Sequence, residues 1–173
     1  TGIPMLAIIW PNSWLLLLPI VLVEMWIAVR VCQFTWKTSL KGVLSANLVS
    51  TLVGLPVTWG ILLGIELLLS HGGRAFGLKT FIGRLASVTV QAPWLVPYES
   101  DLAWMVPSAA TILLIPFFFM SVYVERWIFQ KTTRCPIPLA TRWAWLSNGL
   151  TYGSLFAFLA TLTGIQLWNW NWI

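Results

Sequence analysis

The sequence predicts an all-α integral membrane protein with four transmembrane helices, arranged as two parallel, pseudo-repeated helical hairpins. Three observations predict it. Of 173 residues, 58% are hydrophobic and only 9% are charged. A soluble domain carries about 25% charged residues, so this chain lacks the groups to cover a water-facing surface. The apolar excess is gathered into four runs, near Met5–Val31, Val43–Leu69, Ala109–Gln130 and Trp143–Leu167. The first two runs overlay the last two when the sequence is shifted by 101 residues, Glu24 falling on Glu125.

Each run exceeds the roughly 20 residues needed to cross a bilayer's hydrocarbon core. Lipid offers backbone amides and carbonyls no partners, so the runs are predicted to be helices. None alternates with period two, which argues against strands. The chain reads as one transmembrane domain, 1–173, in four parts. Hairpin one spans 5–69, a central connection 70–108, hairpin two 109–167, and a Trp-rich anchor 168–173. The chain starts at Thr1, so the translated start is expected to lie elsewhere. The first run is too long to be a signal peptide itself.

Basic residues cluster at the predicted helix ends. Arg30, Lys37 and Lys41 flank the turn of hairpin one. Arg126, Lys131, Arg134 and Arg142 flank that of hairpin two. The positive-inside rule then puts the short connections, 31–42 and 131–142, on the cytoplasmic side, with the termini and 70–108 opposite. The net charge of +5 sits at these anchors and not in an exposed basic and aromatic patch, so no nucleic-acid partner is expected. Cys32 and Cys135 fall on the cytoplasmic side without a CxxC pair and are expected to be free thiols.

Tryptophans gather near predicted interfaces: Trp10, Trp14, Trp104, Trp143, Trp145 and the tail from Trp168. Indole prefers that zone because it joins an apolar body to one N–H donor. In the central connection, Leu78, Phe81, Ile82 and Leu85 recur at helical spacing among Arg74, Lys79 and Arg84. That pattern fits a short amphipathic surface helix. Pro93 and Pro97 bracket the loop that follows. Pro19, Pro56 and Pro116 are expected to kink or widen the helices that hold them.

The repeat carries rare residues. Val23-Glu24-Met25-Trp26-Ile27 overlays Val124-Glu125-Arg126-Trp127-Ile128. Arg30 falls on Lys131, Lys41 on Arg142, Asn47 on Asn148, and Ser50 on Thr151. Both hairpins start on the same side, so the repeats are parallel, about an axis along the membrane normal. The spacing also has a geometric consequence. Glu24 and Asn47 each lie six residues from the basic anchors Arg30 and Lys41, or roughly 9 Å at 1.5 Å per residue. Glu125 and Asn148 stand likewise to Lys131 and Arg142. The four polar groups, with Ser50 and Thr151 about one turn away, should form one intramembrane layer facing inward, because ionisable groups are costly against lipid.

Two readings of that layer stand. It is a clamp in which Glu accepts from Asn and fixes helix register, or it is a proton, cation or headgroup site. Gly60xxxGly64 and Gly149xxxGly153 offer small-residue faces for helix packing. Glu66, paired with Gln166, reads as interfacial. The single histidine, His71, lies in the central connection, and Glu99 and Asp101 are the nearest acidic groups beyond it. There is no HExxH, CxxC or Gly-rich phosphate loop, so no cofactor, metal or catalytic set is expected. The expected function is that of a non-enzymatic accessory or scaffold subunit of a larger membrane complex, with lipids and other membrane subunits as partners. The alternative is a small transporter or channel using the Glu/Asn layer.

Overall fold

The computed structural model describes residues 15–69, 80–91 and 102–170. Five helices follow in order: α1 (Leu17–Cys32), α2 (Trp36–Leu69), α3 (Phe81–Gln91), α4 (Leu102–Thr133) and α5 (Ile137–Trp170). No strand occurs among the described residues. Three helices are long and apolar enough to cross a membrane: Trp36–Ile65 in α2, Trp104–Thr133 in α4 and Ile137–Trp168 in α5. Helix α1 has 16 residues, below the ~20 a span requires. The start of the first apolar run lies outside the described residues.

The helices extend past the apolar runs at the basic ends. The expected connections, 31–42 and 131–142, shrink to 33–35 and 134–136. Lys37, Lys41 and Arg142 therefore sit on the opening turns of α2 and α5 and not between helices. The reason is physical. A backbone gains its i→i−4 bonds in headgroups and water as well as in lipid, and long basic side chains reach outward from a helix that continues beneath them. The two turns share one construction. Gln33 and Arg134 follow the last helical residue with φ 54° and 56°, the left-handed stop that closes many helices. The next helix is then opened by Ser39 N–H to the Thr35 carbonyl and by Ala140 N–H to the Pro136 carbonyl, both at 2.9 Å.

The described chain divides into two units, with boundaries inside α2, α4 and α5. The first comprises residues 15–55 and 116–155. Its apolar core includes Val21, Met25 and Ala28 of α1, Val43 and Ala46 of α2, Val122 and Phe129 of α4, and Trp143 and Ala144 of α5. Phe129 stacks on Trp143 with centroids 4.0 Å apart and planes 20° apart. Gly42 marks a close approach of α2 to α4. A Cβ there would lie 2.4 Å from the Thr133 methyl and 2.9 Å from the Phe129 ring.

The second unit comprises 56–69, 80–91, 102–115 and 156–170. Here Val88 of α3 packs with Trp104, Met105 and Ala109 of α4, and Leu167 joins them. Phe81 stacks on Trp104, centroids 5.1 Å apart and planes 9° apart. Thr80 caps α3 through its hydroxyl, which accepts from Gly83 N–H at 3.1 Å. The amphipathic helix of the central connection thus exists, but its buried face is Ser87, Val88 and Val90. Phe81 and Ile82, expected on one apolar face, are exposed. Leu78, Pro93 and Pro97 lie outside the described residues.

Two of the expected interfacial tryptophans are corrected by this packing. Trp104 and Trp143 are 1% and 0% exposed and belong to cores. Trp145 and Trp168 are exposed, and Trp10 and Trp14 lie outside the described residues.

Candidate functional site

All six residues of the predicted polar layer lie in the first unit, and the structure brings them together. Glu24, Asn47, Glu125 and Asn148 have no exposed surface, and Ser50 and Thr151 are buried as well. Helix α1 points Glu24 inward on the same face as Val21 and Ala28, at helical spacing. Helix α4 does the same for Glu125, with Val122 and Phe129. On α2 and α5 each Asn and its hydroxyl partner are three residues apart and so share a face.

Each Asn donates to the Glu of its own hairpin. Asn47 Nδ2 reaches Glu24 Oε2 at 2.5 Å, and Asn148 Nδ2 reaches Glu125 Oε2 at 2.7 Å. The second amide hydrogen goes back one turn, to the Val43 and Ala144 carbonyls, each at 3.1 Å. The hydroxyls cross over. Ser50 Oγ of hairpin one donates to Glu125 Oε1 at 2.8 Å. Thr151 Oγ1 of hairpin two lies 3.4 Å from Glu24 Oε1. Each carboxyl is therefore gripped by an amide from its own hairpin and approached by a hydroxyl from the other.

The two crossings are unequal. A hydroxyl has one hydrogen to give. For Ser50 the carboxylate contact, at 2.8 Å, is shorter than its alternative, the Asn47 carbonyl at 3.1 Å. For Thr151 the shortest acceptor is the Ser147 carbonyl at 2.9 Å, well inside its distance to Glu24. Glu125 is thus held more firmly across the hairpins than Glu24. The amide oxygen of Asn148 is also buried without a hydrogen-bond donor among the described residues.

Sequence reasoning missed three side chains around the layer. Trp143 Nε1 donates to the Glu24 backbone carbonyl at 3.0 Å, tying α5 to α1. Tyr152 and Ser121 share a 2.6 Å hydroxyl pair, and Tyr152 also donates to the Phe117 carbonyl at 3.2 Å. The signal for Trp143 was available in the repeat, because it overlays Gly42. A large side chain whose counterpart is glycine fits a buried position filled from one side only.

The basic anchors lie apart from the layer, all four exposed. The Arg30 guanidinium sits 5.5 Å from the Trp26 ring centroid and the Lys131 ammonium 4.0 Å from that of Trp127, within cation–π range. The predicted glycine faces do not pack against other described residues. A Cβ on Gly60, Gly64, Gly149 or Gly153 would meet nothing within 4 Å. Successive helix residues turn by about 100°. With Asn148 and Thr151 turned inward, Gly149 and Gly153 are rotated out. Leu62 is buried, which turns Gly60 and Gly64 to the far side of α2. The Glu66 side chain, His71, Glu99 and Asp101 lie outside what the structure describes.

Chemically, the layer offers two carboxyls, two amides and two hydroxyls. Among the described residues no cluster of three or more His, Cys, Asp or Glu could hold a metal ion. No family model matches the chain, and no curated protein or solved structure matches it.

Proposed function

We propose that the chain is a non-enzymatic, multi-pass membrane protein whose Glu/Asn layer clamps two hairpins together, and that it serves as an accessory or scaffold subunit of a larger membrane assembly. The observation that carries this reading is the crossed hydrogen bonding. Both buried carboxyls of the first unit are met by side-chain donors of the layer, and the outer surface is left largely apolar. Leu18, Leu22, Leu52, Phe119, Leu146 and Leu150 are among its exposed large side chains. Lipid and neighbouring subunits are the partners such a surface suits.

In this proposal α1 is the inner end of a fourth span, and the two hairpins descend from one duplicated ancestor. The matched positions support that descent. The helix stops Gln33 and Arg134, the openings at Ser39 and Ala140, the Arg30 and Lys131 stacks, and the two Glu–Asn bonds are all 101 residues apart. The basic turns face the cytoplasm and the termini the other side. Labelling of single cysteines in a cysteine-free chain, at position 37 and at position 168, tests this: only position 37 should be reached from the cytoplasmic face.

The functional test is the size of the protein extracted from its own membrane in mild detergent. A particle containing a second membrane subunit at fixed stoichiometry is expected. A homogeneous monomer that carries full activity alone sinks the proposal. Transport of protons, cations or a lipid-like molecule is the second reading, favoured by the undonated Asn148 oxygen and the long Thr151 contact to Glu24. It requires that Glu24→Gln and Glu125→Gln abolish flux in reconstituted vesicles, where the clamp reading expects no flux in any variant.

A further inference from the structure

The only two cysteines of the chain meet in space. Cys32 is the last residue of α1, and Cys135 follows the left-handed stop of α4. Their sulfurs are 3.4 Å apart, with the Cys135 thiol directed at Cys32. Both are free thiols and nearly buried, at 8% and 2% exposure. They are 103 residues apart in sequence and belong to different hairpins. They are not equivalent in the repeat either: Cys32 overlays Thr133 and Cys135 overlays Phe34. The pair is therefore not an echo of the proposed duplication.

We propose that Cys32 and Cys135 form a latent oxidation site, at which a hydroperoxide closes a disulfide joining the ends of α1 and α4. A disulfide needs its sulfurs about 2.05 Å apart. The remaining approach is the kind a χ1 adjustment supplies, and it falls at helix ends, where the backbone yields more readily than at helix centres. The chemistry balances with the hydroperoxide as oxidant. One thiol gives up its proton and its sulfur attacks the peroxide oxygen. The O–O bond breaks, leaving a sulfenic acid and releasing an alcohol or water. The second sulfur then displaces the hydroxyl as water and forms the S–S bond. Two thiols are oxidised by two electrons and one peroxide is reduced. A small oxidant suits the site, because a sulfur with so little exposure excludes bulky disulfide reagents.

Burial pushes the Cys32 thiol up to about 12 and raises Cys135 as well. Few thiolates form at neutral pH, so the site rests reduced and reacts slowly. It differs in this from redox centres whose cysteines are held as thiolates. Once closed, the bond links the two hairpins at the end where both turns lie.

The test uses the full chain in membranes. Treat it with hydrogen peroxide, block free thiols with N-ethylmaleimide under denaturing conditions, and measure intact mass and linked peptides. The expected result is a monomer that takes up no maleimide and yields a peptide joining Cys32 to Cys135. Thermal unfolding in detergent should move upward after oxidation and return with a reductant. The Cys32→Ser chain should lose both the link and the shift. Two maleimides per chain after peroxide, a stable sulfinic acid on either sulfur, or a disulfide only between chains would each overturn the proposal.

Discussion

Ser50 and Thr151 occupy matched positions yet give their hydrogens differently, and this sets a measurable order. Ser50→Ala removes the shorter crossing and leaves Glu125 with one fewer donor. Interhelical hydrogen bonds in membrane proteins average ~0.6 kcal/mol and reach ~1.7 kcal/mol. Loss of Ser50 should fall toward the upper figure, because its target is a buried carboxyl. Thr151→Val should cost less, since the Thr151 hydroxyl already has the Ser147 carbonyl at 2.9 Å. Unfolding of both variants in detergent decides between them; equal losses would mean that the crossings are equivalent. At the turn, Cys32 offers a second check. Its thiol is pushed from an ordinary 9.0 to about 12, so the unfolded chain loses that proton first. The contribution is intact below pH 9 and is lost as pH rises toward 12. Reduced protein should therefore lose stability over that window, and Cys32→Ser should lose less. At this scale the sequence made the Glu and Asn residues legible, because such groups are rare in apolar runs and must find partners. The crossing hydroxyls were half legible. Many Ser and Thr here bond their own preceding turn, as Ser108, Thr111, Ser154 and Thr161 do, and nothing local marks the ones that reach across.

Helices were legible as apolar stretches, but their ends and faces were not. Hydropathy reports where lipid stops, and a helix stops where its hydrogen bonding is diverted. Here that happens at Gln33 and Arg134, two residues in the left-handed region without being glycine. Such a conformation costs an L-residue of this kind roughly 1 kcal/mol or more, and Gly is the residue that favours it. Gln33→Gly should raise stability by up to about 1 kcal/mol, read by thermal unfolding; a loss would mean that the Gln33 side chain contributes something its exposed position conceals. The glycine faces failed for a related reason. A GxxxG spacing defines a stripe but not its direction, and direction is fixed by the polar layer on the same helix. Gly149→Ala and Gly153→Ala should accordingly be neutral or slightly stabilising, since a Cβ meets nothing at either site and Ala is the better helix former. Gly42→Ala should be the damaging one, by about 1–3 kcal/mol, because its Cβ would press on Thr133 and Phe129.

At the scale of the whole first unit, the proposed duplication would account for one polar layer serving two hairpins and for large side chains that are not duplicated. A core between two related halves cannot place the same bulky residue twice at positions near their common axis. One half must carry it and the other must make room. The buried pairs follow that rule: Ala28 against Phe129, and Gly42 against Trp143. Phe129 and Trp143 stack, and Gly42 lies close against the Phe129 ring. If the halves are equivalent in this sense, the asymmetry is a choice of side and can be reversed. The fourfold exchange Ala28→Phe, Gly42→Trp, Phe129→Ala and Trp143→Gly conserves the summed side-chain volume. It moves the stack to the other hairpin, where the indole at 42 would have the Glu125 carbonyl as the counterpart of its present partner. Neighbouring pairs such as Val43 and Ala144 differ, so the exchange should be less stable than the parent chain, but monodisperse in detergent and folded. Gly42→Trp alone should not be, since it drives an indole into Phe129 with no space released. Were the fourfold exchange no better than the single change, the repeat proposed from the sequence would not extend to an interchangeable core.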